Sequence, residues 1–149
     1  MPFHASCGSW SGAGVVLLGP PGAGKSDLLL RLLALGFDLV ADDQVAVRNG
    51  LASPPPNLAG LLEIRGLGIL RLPYVSEIAV RLAVTLSDAT LARLPEPQFL
   101  RLPQDDEAAP AEVPHLAMDP FHASAPVRIR MALDCLAARV GLVAGALAQ

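Results

Sequence analysis

The chain has 149 residues, 52% of them hydrophobic, and a mean hydropathy of +0.47, which suits one domain with a sizeable core and excludes a disordered or fibrous chain. Its formal charge of −3 supplies no global basic field, so a protein that grips nucleic acid mainly through phosphates is excluded, local basic patches aside. With 4% aromatic residues against 14 Pro and 13 Gly, packing must rest on Leu, Val, Ile and Ala, in elements that end sharply.

In chain order, the N-terminus shows no basic segment followed by an apolar stretch. No apolar run anywhere approaches the ~18 residues of a membrane span, so membrane insertion is not expected. By itself His4 is a tail residue. Cys7 and Cys135 lie too far apart in sequence for a zinc pattern or a secreted disulfide framework and are expected to be free thiols, Cys7 without an activating neighbour other than His4. Trp10 and Tyr74 are expected to pack or to lie at the surface. Val15-Val16-Leu17-Leu18 predicts a buried strand, and Gly19-Pro20-Pro21-Gly22-Ala23-Gly24-Lys25-Ser26 follows it, matching the phosphate-binding pattern G-x-x-x-x-G-K-[ST] at every position.

The spacing has a physical cause. Gly22 and Gly24 let the backbone curl so that successive N–H groups face phosphate oxygens, Lys25 reaches the β- and γ-phosphates, and the Ser26 hydroxyl can join Mg²⁺. Asp27 to Leu35, closed by Gly36, predicts a helix whose N-terminus also faces the phosphates. The chain is therefore expected to bind a nucleoside triphosphate, which points to the cytoplasm.

Phe37 to Ala41 predicts the next strand, ending in Asp42-Asp43. A carboxylate there is a hard oxygen ligand fixed beside the triphosphate. Strand alternation would send the two to opposite sides, one toward a metal and the other toward proton transfer, unless one of them caps a turn. Asn49-Gly50 between Val45-Ala46-Val47 and Leu51-Ala52 predicts a hairpin, followed by a loop at Pro54-Pro55-Pro56. Leu61 to Leu70 is apolar and core-like, except for Glu63 and Arg65. Ile78 to Leu86 predicts a strand with Arg81 interrupting its apolar run. Residues 87–114 predict loop, with a short strand at Phe99 to Leu102 and a solvated acidic stretch at Asp105-Asp106-Glu107. His115 and His122 are isolated and not expected to bind metal. A closing helix is predicted from Pro126 to about Ala144, capped by Ser124. The alternation of segments predicts α/β architecture with the phosphate loop at the carboxyl end of a central strand.

Three strings together, residues 19–27, Leu39-Val40-Ala41-Asp42-Asp43 and Leu62-Glu63-Ile64-Arg65-Gly66-Leu67-Gly68-Ile69, resemble HPr kinase/phosphorylase, the last being that family's signature. The resemblance covers roughly residues 4 to 130. It implies a P-loop-containing, PEP-carboxykinase-like α/β catalytic domain with a mixed central sheet, occupying 1–149 as a single domain. It also implies ATP and Mg²⁺ as cofactors, phosphorylation of a serine on an HPr-type phosphocarrier protein of the phosphotransferase system, and reversal by phosphate with release of pyrophosphate. In that likeness Lys25 matches the phosphate-binding lysine, Ser26 the Mg²⁺ contact, and Asp27 an acidic position. One of Asp42 and Asp43 matches the catalytic carboxylate, Asp43 being favoured and also expected at the metal. Glu63 matches a metal-associated glutamate, Arg65 lies in the signature, His4 matches a histidine near the transferred phosphate, and Arg93 is the best match to a later catalytic arginine.

The chain departs from the pattern in three places. The resemblance starts at the catalytic domain, so a form without the N-terminal domain of long members, like the short proteobacterial forms, is expected. Ala125 to Arg130 stands where longer members carry a basic loop, and only Arg128 of its pattern matches, which puts phosphorolysis in question. The C-terminal region is short, although relatives are commonly hexamers and a homo-oligomer is compatible. Two other classes of function stay open: a nucleotide-binding regulatory module acting through a signalling partner such as a sensor kinase, and a small-metabolite kinase, for which no Arg-rich lid is evident.

Overall fold

A computed structural model describes residues 2–104 and 112–148; the acidic stretch Asp105-Asp106-Glu107 lies outside the described residues. Strands run Phe3–His4 (β1), Ser6–Trp10 (β2), Ala13–Leu18 (β3), Asp38–Ala41 (β4), Gln44–Arg48 (β5), Leu51–Ser53 (β6), Leu61–Ile64 (β7), Gly68–Arg71 (β8), Ile78–Leu86 (β9), Phe99–Arg101 (β10) and Glu112–Met118 (β11). Helices run Lys25–Ala34 (α1) and Ala125–Leu136 (α2), with a short 3-10 turn at Pro56–Leu58.

Among the described residues nine strands join in one mixed sheet, as expected, while β7 and β8 form a separate hairpin. In the large sheet β3 lies between β9, parallel to it, and β2, antiparallel to it; β2 also pairs antiparallel with β4. The carboxyl ends of β3 and β4 and the amino end of β2 therefore meet at one end of the sheet. On the other side of β9, β6 pairs with its first residues and β11 runs parallel to its last. Asn49 and Gly50, at φ of +53° and +75°, make the β5–β6 turn as the sequence predicts, both residues taking the left-handed conformation that hairpin turns require.

Strand alternation sends Val15 and Leu17 of β3 to one face and Val16 to the other. The first face is covered by Leu28, Leu29 and Leu32 of α1 and by Ile129 and Leu133 of α2, all buried. The second closes on Val40, Val45, Val47, Ala52 and Val113, so a core almost without aromatics is built on both sides of the sheet. Each fully buried Leu or Val contributes about 1.5–3 kcal/mol of transfer free energy.

Two bulges set the phase of these strands. Gly14 pairs with Val80 but Val15 with Leu82, so Arg81 is an extra residue in β9. That is how an exposed arginine sits inside an apolar run without entering the core. Gly8 pairs with Leu39 but Cys7 with Ala41, so Val40 is the extra residue of β4, and Val40 and Ala41 both pack on the second face while Leu39 packs on the first.

Three expectations are corrected. β11 occupies sequence partly read as loop, since residues 87–114 are rich in proline and acids. Pro114 faces Phe99 of β10, while pairing with β9 begins only at His115, so the missing N–H falls before the second ladder begins. The closing helix stops at Leu136 rather than near Ala144, where the Ala138 N–H bonds back to Cys135 O and Ala138 takes φ +60°. Ser124 stands at the N-cap without a side-chain cap bond. The first turns of the closing helix are formed by Ala125 to Arg130, in agreement with its predicted start at Pro126.

Candidate functional site

The turn after β3 enters α1 through Gly24, whose φ of +101° suits glycine at low cost. Lys25, Ser26 and Asp27 thus stand in the first turn of α1, where backbone N–H groups have no intrahelical partner. The Lys25 ammonium donates to the carbonyls of Gly19 (2.7 Å) and Pro20 (3.0 Å), and the Ala23 N–H also donates to Pro20 O (3.1 Å). The loop is folded around its own lysine. Pro21, Gly22, Gly24, Lys25 and Ser26 line a cleft of ≈ 850 Å³. Asp27 also lines it and pairs with Arg31 (3.0 Å).

The end of β4 supplies the next wall. Asp42 is 7% exposed. Its carboxylate accepts from Ser6 Oγ at 2.7 Å and from Ser26 Oγ at 2.9 and 3.0 Å. Burial of a carboxylate is costly unless such donors replace water, and two hydroxyls do so here. Asp43 goes elsewhere: its φ is +69°, its side chain is 71% exposed, and its Oδ1 lies 3.9 Å from His4 Nδ1. Opposite directions were expected from strand alternation, but β4 ends at Ala41, and the turn separates the two carboxylates. Ser26, expected with Asp43 at a metal, is bonded to Asp42.

The facing wall is the β7–β8 hairpin. Glu63, Ile64, Arg65 and Ile69 line the cleft from it, with Glu63 and Arg65 exposed. The segment that looked core-like by composition is mostly surface: Leu62 is buried at 1%, whereas Leu67 and Ile69 are each 69% exposed. Arg93 is not brought in; it lies exposed between β9 and β10, outside the residues that line the cleft.

The sequence reading missed two residues at the site. Ser6 enters because β2 is inserted between β3 and β4; the Ser11-Gly12 turn, with Trp10 opposite Ala13, was the available signal for that hairpin. Phe121, in the turn after β11, also lines the cleft, and no local pattern marks it.

A divalent ion fits the donors present. Among the described residues no group of three or more His, Cys, Asp or Glu is placed to hold a metal. The Asp42 carboxylate and Ser26 hydroxyl are instead the hard oxygen set that Mg²⁺ takes when phosphates and water complete its shell. Cys7 and His115 do not line this cleft. Burial pushes the Cys7 thiol up to about 12, which makes it inert, and both cysteines are free. His115 Nε2 lies 2.7 Å from Thr85 Oγ1, and burial lowers its pKa. Trp10 stacks on Phe37 at 5.2 Å and donates to Asp134 (3.1 Å), a packing role as expected. No helix among the described residues is long and apolar enough to cross a membrane.

Comparison with known proteins follows the same lines. Residues 1–86 match the family model described as HPr Serine kinase C-terminal domain. The proteins named HPr kinase/phosphorylase of Burkholderia cenocepacia (strain HI2424) and Paraburkholderia phymatum are each 44% identical over 103 residues, covering 64% of this chain and 32% of the relative. The match thus spans about a third of the length of these curated relatives, 32%. The solved structure of the Hpr(Ser) kinase/phosphatase from Coxiella burnetii superposes with a TM-score of 0.72 at 23% identity, over 93% of this chain and 92% of that one. At that identity the likeness is one of fold.

Proposed function

This chain belongs to the HPr serine kinase C-terminal domain family, and from that premise we propose that it transfers the γ-phosphoryl group of ATP to a serine hydroxyl of an HPr-type phosphocarrier. The observation that carries the reading is the convergence, in one cleft, of a complete phosphate loop, a buried Asp42 bonded to Ser26, and an exposed Asp43. In this reading residues 1–149 act as one catalytic domain, working in the cytoplasm, alone or as a homo-oligomer.

The roles divide by burial. Lys25 and the amides of residues 22–26 bind the triphosphate and offset its charge. Asp42 and Ser26 would hold Mg²⁺, which would supply positive charge to offset that on the triphosphate. Asp43, exposed to the incoming substrate, accepts the serine proton as the serine oxygen bonds to the γ-phosphorus and the bond to the β–γ bridging oxygen breaks, with ADP leaving. His4 stands beside Asp43 and can stabilise its charge or relay the proton. Glu63 and Arg65 face the same space from the hairpin and would position the acceptor or the transferring group. In the reverse direction inorganic phosphate attacks the phosphoserine, Asp43 returns the proton to the serine oxygen, and pyrophosphate leaves.

The test is transfer of labelled phosphate from ATP with Mg²⁺ to purified HPr-type carriers, with the modified residue located by mass spectrometry. Serine labelling that is lost in Lys25→Ala and Asp43→Asn is expected. A second reading, nucleotide-gated contact with a signalling partner such as a sensor kinase, draws on the exposed Leu67 and Ile69 of the β7–β8 hairpin, of which Ile69 lines the cleft. It prevails if ATP binds tightly, no carrier is phosphorylated, and Asp43→Asn leaves the cellular role intact.

A further inference from the structure

Phe121 is 69% exposed, yet its backbone is held on both sides. Its N–H donates to Asp119 Oδ1 at 2.9 Å. Arg31 of α1 reaches the two flanking carbonyls, donating to His122 O at 3.3 Å and to Pro120 O, while Asp27 fixes the same guanidinium from one turn earlier. An exposed aromatic ring gains nothing for the core that would account for so many attachments of its turn to the helix beneath. The ring also has a defined neighbour: a Cβ placed on Gly24 would lie 3.3 Å from Phe121 Cε1 and Cζ. The ring therefore stands directly against the entrance of α1, and it lines the same cleft.

The topology gives this position a meaning. β11 runs parallel to β9, and β9 parallel to β3, so the turn after β11 and the phosphate loop after β3 open at the same end of the sheet, where open α/β sheets bind ligands. A nucleotide anchored by its phosphates at residues 19–26 extends its base toward a neighbouring wall. An apolar, planar surface on that wall is what a base needs to leave water on one face.

We propose that Phe121 is the stacking platform for the base of the nucleoside triphosphate whose phosphates the 19–26 loop receives. The inference rests on the triphosphate reading of that loop. Stacking uses the π-face that every base has, so the platform serves adenine and guanine alike.

The experiment is calorimetric titration, with Mg²⁺, of the wild-type chain and of Phe121→Ala, Phe121→Tyr and Phe121→Leu with ATP, GTP and inorganic tripolyphosphate, the last presenting the phosphates without a base. Phe121→Ala is expected to weaken ATP and GTP by about tenfold or more while leaving tripolyphosphate within about twofold of wild type. Phe121→Tyr should restore the difference and Phe121→Leu restore it only in part. Equal losses for ATP and tripolyphosphate in Phe121→Ala would overturn the proposal, as would unchanged ATP affinity with a raised KM for the protein acceptor, which would assign the ring to acceptor contact. Wild-type protein that binds neither ATP nor tripolyphosphate would overturn the reading of the loop itself, whereas tripolyphosphate binding with no advantage for ATP overturns the platform alone. Thermal unfolding of each variant separates these outcomes from loss of fold.

Discussion

The wall formed by the phosphate loop and the end of β4 is built on the large sheet, the loop following its inner strand β3 and β4 pairing with β2 at its edge, whereas the facing wall, the β7–β8 hairpin, reaches the core through the buried Leu62. On the first wall the carboxylate is bonded to two hydroxyls from different elements. On the second, Glu63 and Arg65 are exposed beside apolar tips. The contrast separates tasks under the proposed function: the groups assigned to the triphosphate stand on rigid elements, and those assigned to the acceptor stand on an exposed hairpin, which is expected to open at lower free energy.

The largest test of this division concerns chemistry. Asp43→Asn is expected to lower the transfer rate by roughly a hundred- to ten-thousand-fold with ATP affinity retained, as for loss of a general base; single-turnover transfer with a separate binding titration measures both. Next, Leu62→Ala should cost about 2–5 kcal/mol locally. If the hairpin is anchored as described, hydrogen exchange will quicken in residues 61–71 before it does in β3, and uniform quickening would mean the walls share one cooperative unit. Asp42→Ala leaves the Ser6 and Ser26 hydroxyls without their acceptor and should destabilise the fold by about 1–3 kcal/mol in urea titration, whereas Asp43→Ala should move it by no more than about 0.5 kcal/mol.

A smaller effect is set by pH. The folded pKa of His115 lies below 6.5 through burial, so the unfolded chain takes up a proton first as pH falls. The stability contributed above 6.5 is therefore lost as pH drops below that value toward the folded pKa. His115→Gln should make the urea midpoint fall less between pH ~7.5 and ~5.5 than in wild type. The smallest expected change is in stability for Ile69→Ser, within about 0.5 kcal/mol; the informative readout there is the KM for the acceptor, which rises if this wall meets it.

Much of this was legible where local chemistry decides structure. The phosphate loop, α1 and the Asn49-Gly50 hairpin follow from glycine placement and apolar spacing, and the structure contains all three. The site was less legible wherever it depended on pairing between distant strands. Ser6 is an ordinary serine until β2 is inserted between β3 and β4, and Phe121 is an ordinary loop residue until β11 is brought parallel to β9. Arg93 shows the opposite failure: a loose local likeness carried an arginine toward the site, and the chain leaves it exposed elsewhere. The start of β11 lay in the proline- and acid-rich segment read as loop, and composition does not show that pairing with β9 starts only after Pro114.

The extra residue at Val40 bears on the choice between the two carboxylates. In an unbulged strand with Leu39 toward the helices, Ala41 would share that side and position 42 would face away from Ser26, leaving position 43 to turn inward. Because Val40 and Ala41 instead pack on the same face, the parity of the chain is inverted just before the pair, and Asp42 becomes the inner carboxylate and Asp43 the outer. The bulge thus sets the side that Asp42 takes, and the turn at Asp43, with its φ of +69°, sends the second carboxylate elsewhere. Deleting Val40 would leave Leu39 opposite Gly8 and Ala41 opposite Cys7 in a regular ladder, so Asp42 should remain the inner carboxylate, still bonded to Ser26.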